Sequence, residues 1–254
     1  MLGAVVAVPT ELLACPACRG RLEARSGDGL ICLSCGRIYS MFDGGSDLLL
    51  HPPNGAEATT GPIGRTVAAL AGVPLIYDLV QRLPGTAEPR SRLRRALAEA
   101  RGVVLDAGGG TGALEPALPS SATYLWLDAD RRKLKRFRAR SQAPAVLGDA
   151  TNLPLQDGSV DWAVSVAVSH HLDDASFGRA LDELRRVVRE QVVFLDAVTA
   201  PRSASRILWR YDRGRHPRPA DVLQRELAAR FRLDSVEEFT ALHRYLLVSG
   251  APRR

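Results

Sequence analysis

The chain has 254 residues, of which 46% are hydrophobic and 24% are charged. This composition is that of an ordinary globular protein and excludes a disordered or fibrous chain. The net charge of +6, from 34 basic and 28 acidic residues, is too small an excess to establish a nucleic-acid partner. The first eight residues make a poor signal peptide and no apolar run could span a membrane, so we expect a cytoplasmic protein.

All four cysteines lie near the start of the chain, in two Cys-x-x-Cys pairs. A disulfide framework is not expected without a secretory signal. Four thiolates at this spacing are typical of a closed zinc site, which is structural because no coordination position stays open. We therefore predict a zinc ribbon over residues 9–52, and the alternative is four unrelated reduced cysteines. The predicted ligands are Cys15, Cys18, Cys32 and Cys35.

Residues 53–90 are poorly patterned and are broken by Pro62, Pro74 and Pro84. We interpret this segment as a linker and a helical lid. Tyr77 in the lid is a candidate for substrate contact, although a tyrosine at such a position is commonly part of the core.

From residue 91 onward, apolar strands alternate with amphipathic helices, which is typical of a parallel sheet covered by helices. We predict a doubly wound, mostly parallel α/β sheet of seven strands with an antiparallel strand at one edge. The predicted strands lie at 103–107, 124–127, 145–147, 161–168, 192–195, 231–239 and 242–249.

The first of these strands ends at Asp106 and runs into a glycine-rich turn. Glycine adopts positive φ and lets backbone N–H groups approach a ligand closely. Gly108, Gly110 and Ala113 also satisfy the dinucleotide pattern of dehydrogenases. A carboxylate at position 106 would repel a pyrophosphate, whereas it could hold the ammonium group of a methionine moiety.

Two further acids follow the next two strands. Asp128 ends the second strand and suits the ribose hydroxyls of a nucleoside. Asp149 follows the third strand, where it could accept the adenine amino group. Each acid alone could instead cap a helix or lie in a loop. Because parallel strands end at one edge of the sheet, we predict that the three carboxylates form one S-adenosylmethionine site.

Segments 104–112, 148–161 and 168–172 together resemble the class I S-adenosylmethionine-dependent methyltransferases, particularly the group that includes quinone C-methyltransferases. The resemblance covers residues 91–254 and implies a Rossmann-like fold. Residues at the strand ends would then contact the cofactor. These are Asp106, Gly108, Gly110, Asp128, Ala129, Asp149 and Ala150.

The amino-terminal ribbon resembles the small zinc-ribbon proteins that accompany methyltransferases as activators. A ribbon ahead of a methyltransferase is also similar to the bacterial ribosomal RNA guanine-N1 methyltransferases. In that family the fourth zinc ligand is commonly histidine, whereas this chain has Cys35.

His170 and His171 follow the fourth strand, where class I enzymes present residues to the methyl acceptor. Transfer from a sulfonium needs mainly alignment and exclusion of water. A hydroxyl, phenol or carbanion-like acceptor would also need a general base. We predict that one of the two imidazoles is that base; the alternative is that His171 packs and His170 lines the loop. His243 and Tyr245 in the closing strand pair are further candidates.

Two basic segments bear on the choice of acceptor. Residues 131–140 form a basic helix whose charges could bind a partner or simply face solvent. Residues 202–218 mix arginine with aromatic residues and could bind RNA or a phosphorylated substrate. We predict a small-molecule acceptor, such as a quinone, a lipid-like molecule or a secondary metabolite. The alternatives are a ribosomal RNA base methyltransferase and a non-catalytic partner protein with the methyltransferase fold.

Overall fold

The computed structural model describes residues 5–25, 29–50, 87–199, 216–241 and 243–254. The predicted lid with Tyr77 and residues 202–215 of the second basic segment lie outside these ranges. Within them, no helix combines the length and apolar character needed to cross a bilayer.

Seven strands form the sheet of the carboxyl-terminal part, in the order β7-β6-β5-β8-β9-β11-β10. β11 alone runs antiparallel to the other six. The predicted doubly wound, mostly parallel sheet of seven strands is thereby confirmed, but the antiparallel strand is not at the edge as predicted. The hairpin of β10 and β11 places its second strand beside β9, so β11 lies between β9 and the edge strand β10. The strands are β5 (Gly102–Ala107), β6 (Ala122–Asp128), β7 (Ala145–Leu147), β8 (Val160–Val166), β9 (Val188–Val198), β10 (Phe231–Thr240) and β11 (Arg244–Pro252).

Four helices are described around this sheet. Asp130 and Asp173 begin the second and third of them, because each carboxylate accepts a hydrogen bond from a backbone N–H of the first turn. The helices are α1 (Ala87–Ala96), α2 (Arg131–Arg138), α3 (Asp174–Val187) and α4 (Ala220–Arg230).

The alternating pattern predicts a helix between β5 and β6, but the structure has turns and one 3-10 turn, Glu115–Ala117. The connecting segment, 108–121, is short and contains Pro116 and Pro119. Proline removes a backbone donor and disrupts a helix interior, so this segment cannot extend into a full helix. The glycine turn is therefore held by other elements.

The amino-terminal ribbon joins the same sheet, although the sequence suggests a separate module. β4 pairs in parallel with β7, with Ser46 opposite Val146 and Asp47 opposite Leu147. The hydrogen-bonded strands therefore number eleven in one continuous sheet. The ribbon strands are β1 (Leu22–Arg25), β2 (Gly29–Cys32), β3 (Ile38–Phe42) and β4 (Gly45–Asp47).

Helix α2 makes a second attachment to the ribbon. Arg131 forms an ion pair with Asp47 of β4. Arg138 donates to two backbone carbonyls of the β3–β4 turn at 3.0 and 3.3 Å. Arg131 and Lys135 both lie 5.5 Å from the centre of the Phe42 ring. Much of the basic charge in the first basic segment is thus engaged within the molecule, and the face is not simply solvated.

Gly112→Ala should destabilise the protein by about 3 kcal/mol, because a Cβ there would overlap the buried Phe137 ring and the backbone has a φ of +74°. Gly158→Ala is the matched control, since its φ is +55° but a Cβ would meet nothing closer than 3.7 Å. We expect the control to lose only about 1 kcal/mol. Urea unfolding measures both, and equal losses would contradict the packing argument.

Candidate cofactor and metal sites

The four cysteines form one cluster, in which the sulfur atoms all lie within 4.8 Å of one another. Cys15 Sγ lies 3.7 Å from Cys35 Sγ, and Cys18 Sγ lies 3.5 Å from Cys32 Sγ. A tetrahedron with Zn–S bonds of about 2.3 Å has edges of about 3.8 Å, so these thiols fit a single zinc ion. The Tyr39 hydroxyl lies 3.0 Å from Cys15 Sγ and provides a hydrogen bond behind the cluster.

The glycine turn after β5 is held by hydrogen bonds to side chains of neighbouring elements, and one of its glycines faces open space. Gly110 N–H donates to Asp128 Oδ2 at 3.1 Å, and Trp126 Nε1–H donates to the Gly110 carbonyl at 3.1 Å. Arg140 donates to the Thr111 carbonyl at 2.9 Å. A Cβ at Gly110 would meet only the Gly108 carbonyl oxygen, 3.9 Å away. At Gly110 the turn therefore leaves room for a ligand to lie against the backbone.

Asp106 lies beneath this turn and is only 4% exposed. Its Oδ2 accepts a hydrogen bond from the Tyr124 hydroxyl at 2.6 Å. Burial raises the pKa of Asp106 to about 7; the charge of Asp128 adds to the rise, and the Tyr124 hydrogen bond opposes it. A cationic ligand nearby would favour the ionised form.

Asp128 is 6% exposed and already accepts three hydrogen bonds. Oδ1 accepts from Asp130 N–H at 2.9 Å, and Oδ2 accepts from Gly110 N–H and Lys133 Nζ, both at 3.1 Å. A carboxylate offers about four acceptor positions, so one hydroxyl could be added directly. A second would displace Lys133, whose side chain is 44% exposed.

The residues after β6 and β7 complete the predicted site. Ala129 and Ala150 are half-buried beside the two strand ends. Asp149 is exposed, and its Oδ1 accepts from both the N–H and the hydroxyl of Thr151 at 2.8 Å. The structure therefore brings Asp106 and Asp128 together below the glycine turn, with Asp149 on the loop that follows the next strand. This donor set fits a cationic nucleoside such as S-adenosylmethionine.

The two predicted histidines have different surroundings. His170 is 4% exposed, and its Nδ1 lies 2.9 Å from Asp196 Oδ1. His171 is exposed, with its ring centre 4.2 Å from that of His170. The structure buries His170 and exposes His171, which is the reverse of the burial expected if His171 packed and His170 only lined the loop. The assignment of either imidazole as a base stays a prediction. Ala167, just before this turn, has a φ of +55°, which is uncommon for a non-glycine residue.

Sequence reasoning missed Asp196, which is 1% exposed at the end region of β9. Its Oδ2 accepts from Ser169 N–H at 2.8 Å, so it orients the histidine turn as well as the ring. The sequence does carry a signal for Asp196: it follows the apolar pair Phe194 and Leu195 in a strand, just as Asp106 and Asp128 follow apolar strand residues.

Arg218 supports the same turn from the other side. It is 5% exposed, donates to the Ser169 carbonyl at 2.7 Å and pairs with Asp174 at 2.7 Å. Arg218 belongs to the second basic segment, for which the sequence suggests RNA contact. Its guanidinium is instead buried and hydrogen-bonded within the protein. Tyr245 of β11 lies opposite Ala197 of β9, which is the residue after Asp196.

Comparisons with known proteins agree with this architecture. Residues 105–195 match the family described as "Methyltransferase domain", and residues 10–44 match the family described as "Trm112p-like protein". The match to a methyltransferase domain thus covers the glycine turn and the central strands, and the match to a Trm112p-like protein covers the cysteine cluster. S-adenosylmethionine is the cofactor of such a domain, and zinc is the metal of such a ribbon.

Two solved structures show the fold of the methyltransferase domain. The N-methyltransferase NodS from Bradyrhizobium japonicum, in complex with S-adenosyl-L-homocysteine, has a TM-score of 0.60 and 18% identity, covering 75% of this chain and 98% of that chain. A complex between the Haloferax volcanii Trm112 methyltransferase activator and the putative methyltransferase has a TM-score of 0.58 and 17% identity, covering 74% and 98%.

One curated relative shares part of the sequence. An uncharacterized 37.1 kDa protein in transposon TN4556 of Streptomyces fradiae is 38% identical over 91 residues, which is 34% of this chain. The match spans 26% of the length of that relative.

The raised pKa of Asp106 predicts a pH-dependent stability. The unfolded state loses this proton near its ordinary pKa of 3.8, whereas the folded state keeps it to about 7, so the carboxyl group destabilises the fold progressively as pH rises through that window. The full cost is on the order of 4 kcal/mol. Relative to Asp106→Asn, the wild type should lose stability between about pH 4 and pH 7 in urea unfolding, and the difference should level off above pH 7. Other titrating groups cancel in this difference, and parallel profiles would contradict the assignment.

Proposed function

We propose that this chain transfers a methyl group from S-adenosylmethionine to a small-molecule acceptor, such as a quinone, a lipid-like molecule or a secondary metabolite, by in-line displacement. The observation that carries the proposal is the pair of buried carboxylates, Asp106 and Asp128, beneath a glycine turn that leaves open space at Gly110. Asp128 already pairs with Lys133, whereas no ion pair is described for Asp106, so its buried carboxylate needs a cationic ligand or a proton to offset the charge.

Each residue of the site then has a distinct task. The bound cofactor supplies an activated methyl group. Asp106 holds the methionine ammonium, and Asp128 accepts the ribose hydroxyls at the end of β6, beside Ala129. Asp149 accepts the adenine amino group, beside Ala150. The backbone at Gly108 and Gly110 lies against the ligand and excludes water from one side.

His170 is the proposed general base for the acceptor. Because Asp196 accepts the Nδ1 proton, the ring is held in the tautomer whose Nε2 carries the lone pair. Burial of both residues keeps that orientation fixed. A proton taken from an acceptor hydroxyl, phenol or acidic carbon would be held on this imidazole, and the resulting charge would be stabilised by the Asp196 carboxylate.

The choice between a small molecule and RNA depends on the basic residues. The ribbon favours the RNA alternative, since a ribbon ahead of a methyltransferase resembles the ribosomal RNA enzymes. Against it, Arg131, Lys135 and Arg138 of α2 contact the ribbon, and Arg218 is buried. An RNA substrate would give binding that weakens steeply with added salt, whereas a neutral small acceptor would not.

Asp128→Ala should weaken the binding of S-adenosylhomocysteine by about 1–3 kcal/mol, because charge-assisted hydrogen bonds to the ribose are lost. Isothermal titration calorimetry measures this dissociation constant directly. Asp221→Ala is the control, since that carboxylate is exposed on α4 and pairs only with Arg225 among the ion pairs described. An unchanged constant in Asp128→Ala would remove Asp128 from the site, and no binding by the wild type would favour the non-catalytic alternative.

His170→Ala should reduce methyl transfer by roughly 10²- to 10⁴-fold while leaving S-adenosylhomocysteine binding intact, because a base acts on the acceptor and not on the cofactor. The acceptor is first identified by comparing metabolites and RNA modifications in cells with and without the gene. Purified protein is then assayed for transfer of the labelled methyl group. If His171→Ala abolishes transfer and His170→Ala does not, the base has been assigned to the wrong imidazole.

A further inference from the structure

The loop that follows β7, residues 148–157, is held by the segment that leads into the ribbon. Ala14 N–H donates to the Pro154 carbonyl at 3.0 Å, and Gln156 N–H donates to the Leu12 carbonyl at 2.9 Å. The Gln156 side chain donates to the Leu13 carbonyl at 2.9 Å. These contacts fix one end of the loop against the chain just before the first cysteine pair.

The first zinc knuckle, residues 15–19, holds the other part of this loop. The Asn152 side chain donates to the Pro16 carbonyl at 2.9 Å, between the two cysteines of the knuckle. Asn152 N–H in turn donates to the Asp149 carbonyl at 3.0 Å. A direct chain of hydrogen bonds therefore connects the knuckle with the residue proposed to accept the adenine amino group.

Arg19 makes a second connection from the knuckle. Its guanidinium donates to the Leu153 carbonyl at 2.6 Å and to Glu183 of α3 at 2.8 Å. Its backbone has a φ of +63°, a conformation that glycine adopts without cost and arginine does not. An arginine held in a strained conformation by contacts across two parts of the chain suggests a role in positioning.

We infer that Arg19 and Asn152 position the loop 148–157 for the cofactor, so that loss of either contact weakens cofactor binding even when the zinc ribbon stays intact. This inference rests on the proposed function, because it assumes that Asp149 and Ala150 contact S-adenosylmethionine. The knuckle backbone is organised by Cys15 and Cys18, and such short segments fold around their metal. Arg19 and Asn152 are positioning residues: they act through the loop and do not touch the cofactor.

Arg19→Gly separates this role from the stability of the knuckle. Glycine relieves the backbone strain at a φ of +63°, so the ribbon should fold at least as well as in the wild type. With zinc-saturated protein, calorimetry should show that S-adenosylhomocysteine binds roughly 5- to 30-fold more weakly than to the wild type. Hydrogen exchange of residues 149–156 should be faster, while zinc content stays at the wild-type level. Arg21→Ala, at an exposed ribbon arginine, is the control and should match the wild type.

The outcomes distinguish this inference from the proposed function. Wild-type affinity in Arg19→Gly overturns the inference alone. Weaker binding without faster loop exchange also overturns it, as does an equal loss in Arg21→Ala. Absence of S-adenosylhomocysteine binding by the wild type overturns the proposed function, and this inference with it. Asn152→Ala provides an independent variant, for which the same pattern is expected.

Discussion

The hydrogen bond from Gly110 N–H to the Asp128 carboxylate is the interaction on which the candidate site depends. It anchors a turn that no following helix supports, because the segment after it is short and contains prolines. The same carboxylate lies near Asp106 and contributes to the raised pKa of that group. The Asp128 side chain at the end of β6 thus anchors the turn, helps to raise the pKa of Asp106 and offers hydrogen-bond acceptors to a ligand.

The ribbon and the methyltransferase domain share one sheet and one core. Leu13 of the amino-terminal segment and Leu155 of the loop 148–157 are both fully buried and face each other across an isolated bridge. Helix α2 adds cation–π and ion-pair contacts to the ribbon hairpin. The cysteine cluster of the ribbon and the candidate cofactor site of the domain are therefore connected by direct contacts, even though their residues are far apart in the sequence.

The sequence predicts most of the fold, because apolar periodicity and strand-ending acids are local signals. It identifies all seven strands of the domain and the four clustered cysteines. It does not predict the parallel pairing of β4 with β7, since Gly45–Asp47 is too short to show a pattern and the partner strand is distant. Nor does it distinguish His170 from His171, because Asp196, which contacts His170, and Arg218, which holds the turn at Ser169, both come from later segments.

The pairing of β4 with β7 also covers an edge strand that would otherwise present unpaired backbone groups to other chains. Two separate polypeptides that paired their strands in this way would dissociate on dilution. Here both halves belong to one polypeptide, so their ratio is fixed at one to one and the effective local concentration of the ribbon is independent of expression level. The β7 edge of the domain is thus paired within the same polypeptide, whatever the protein concentration.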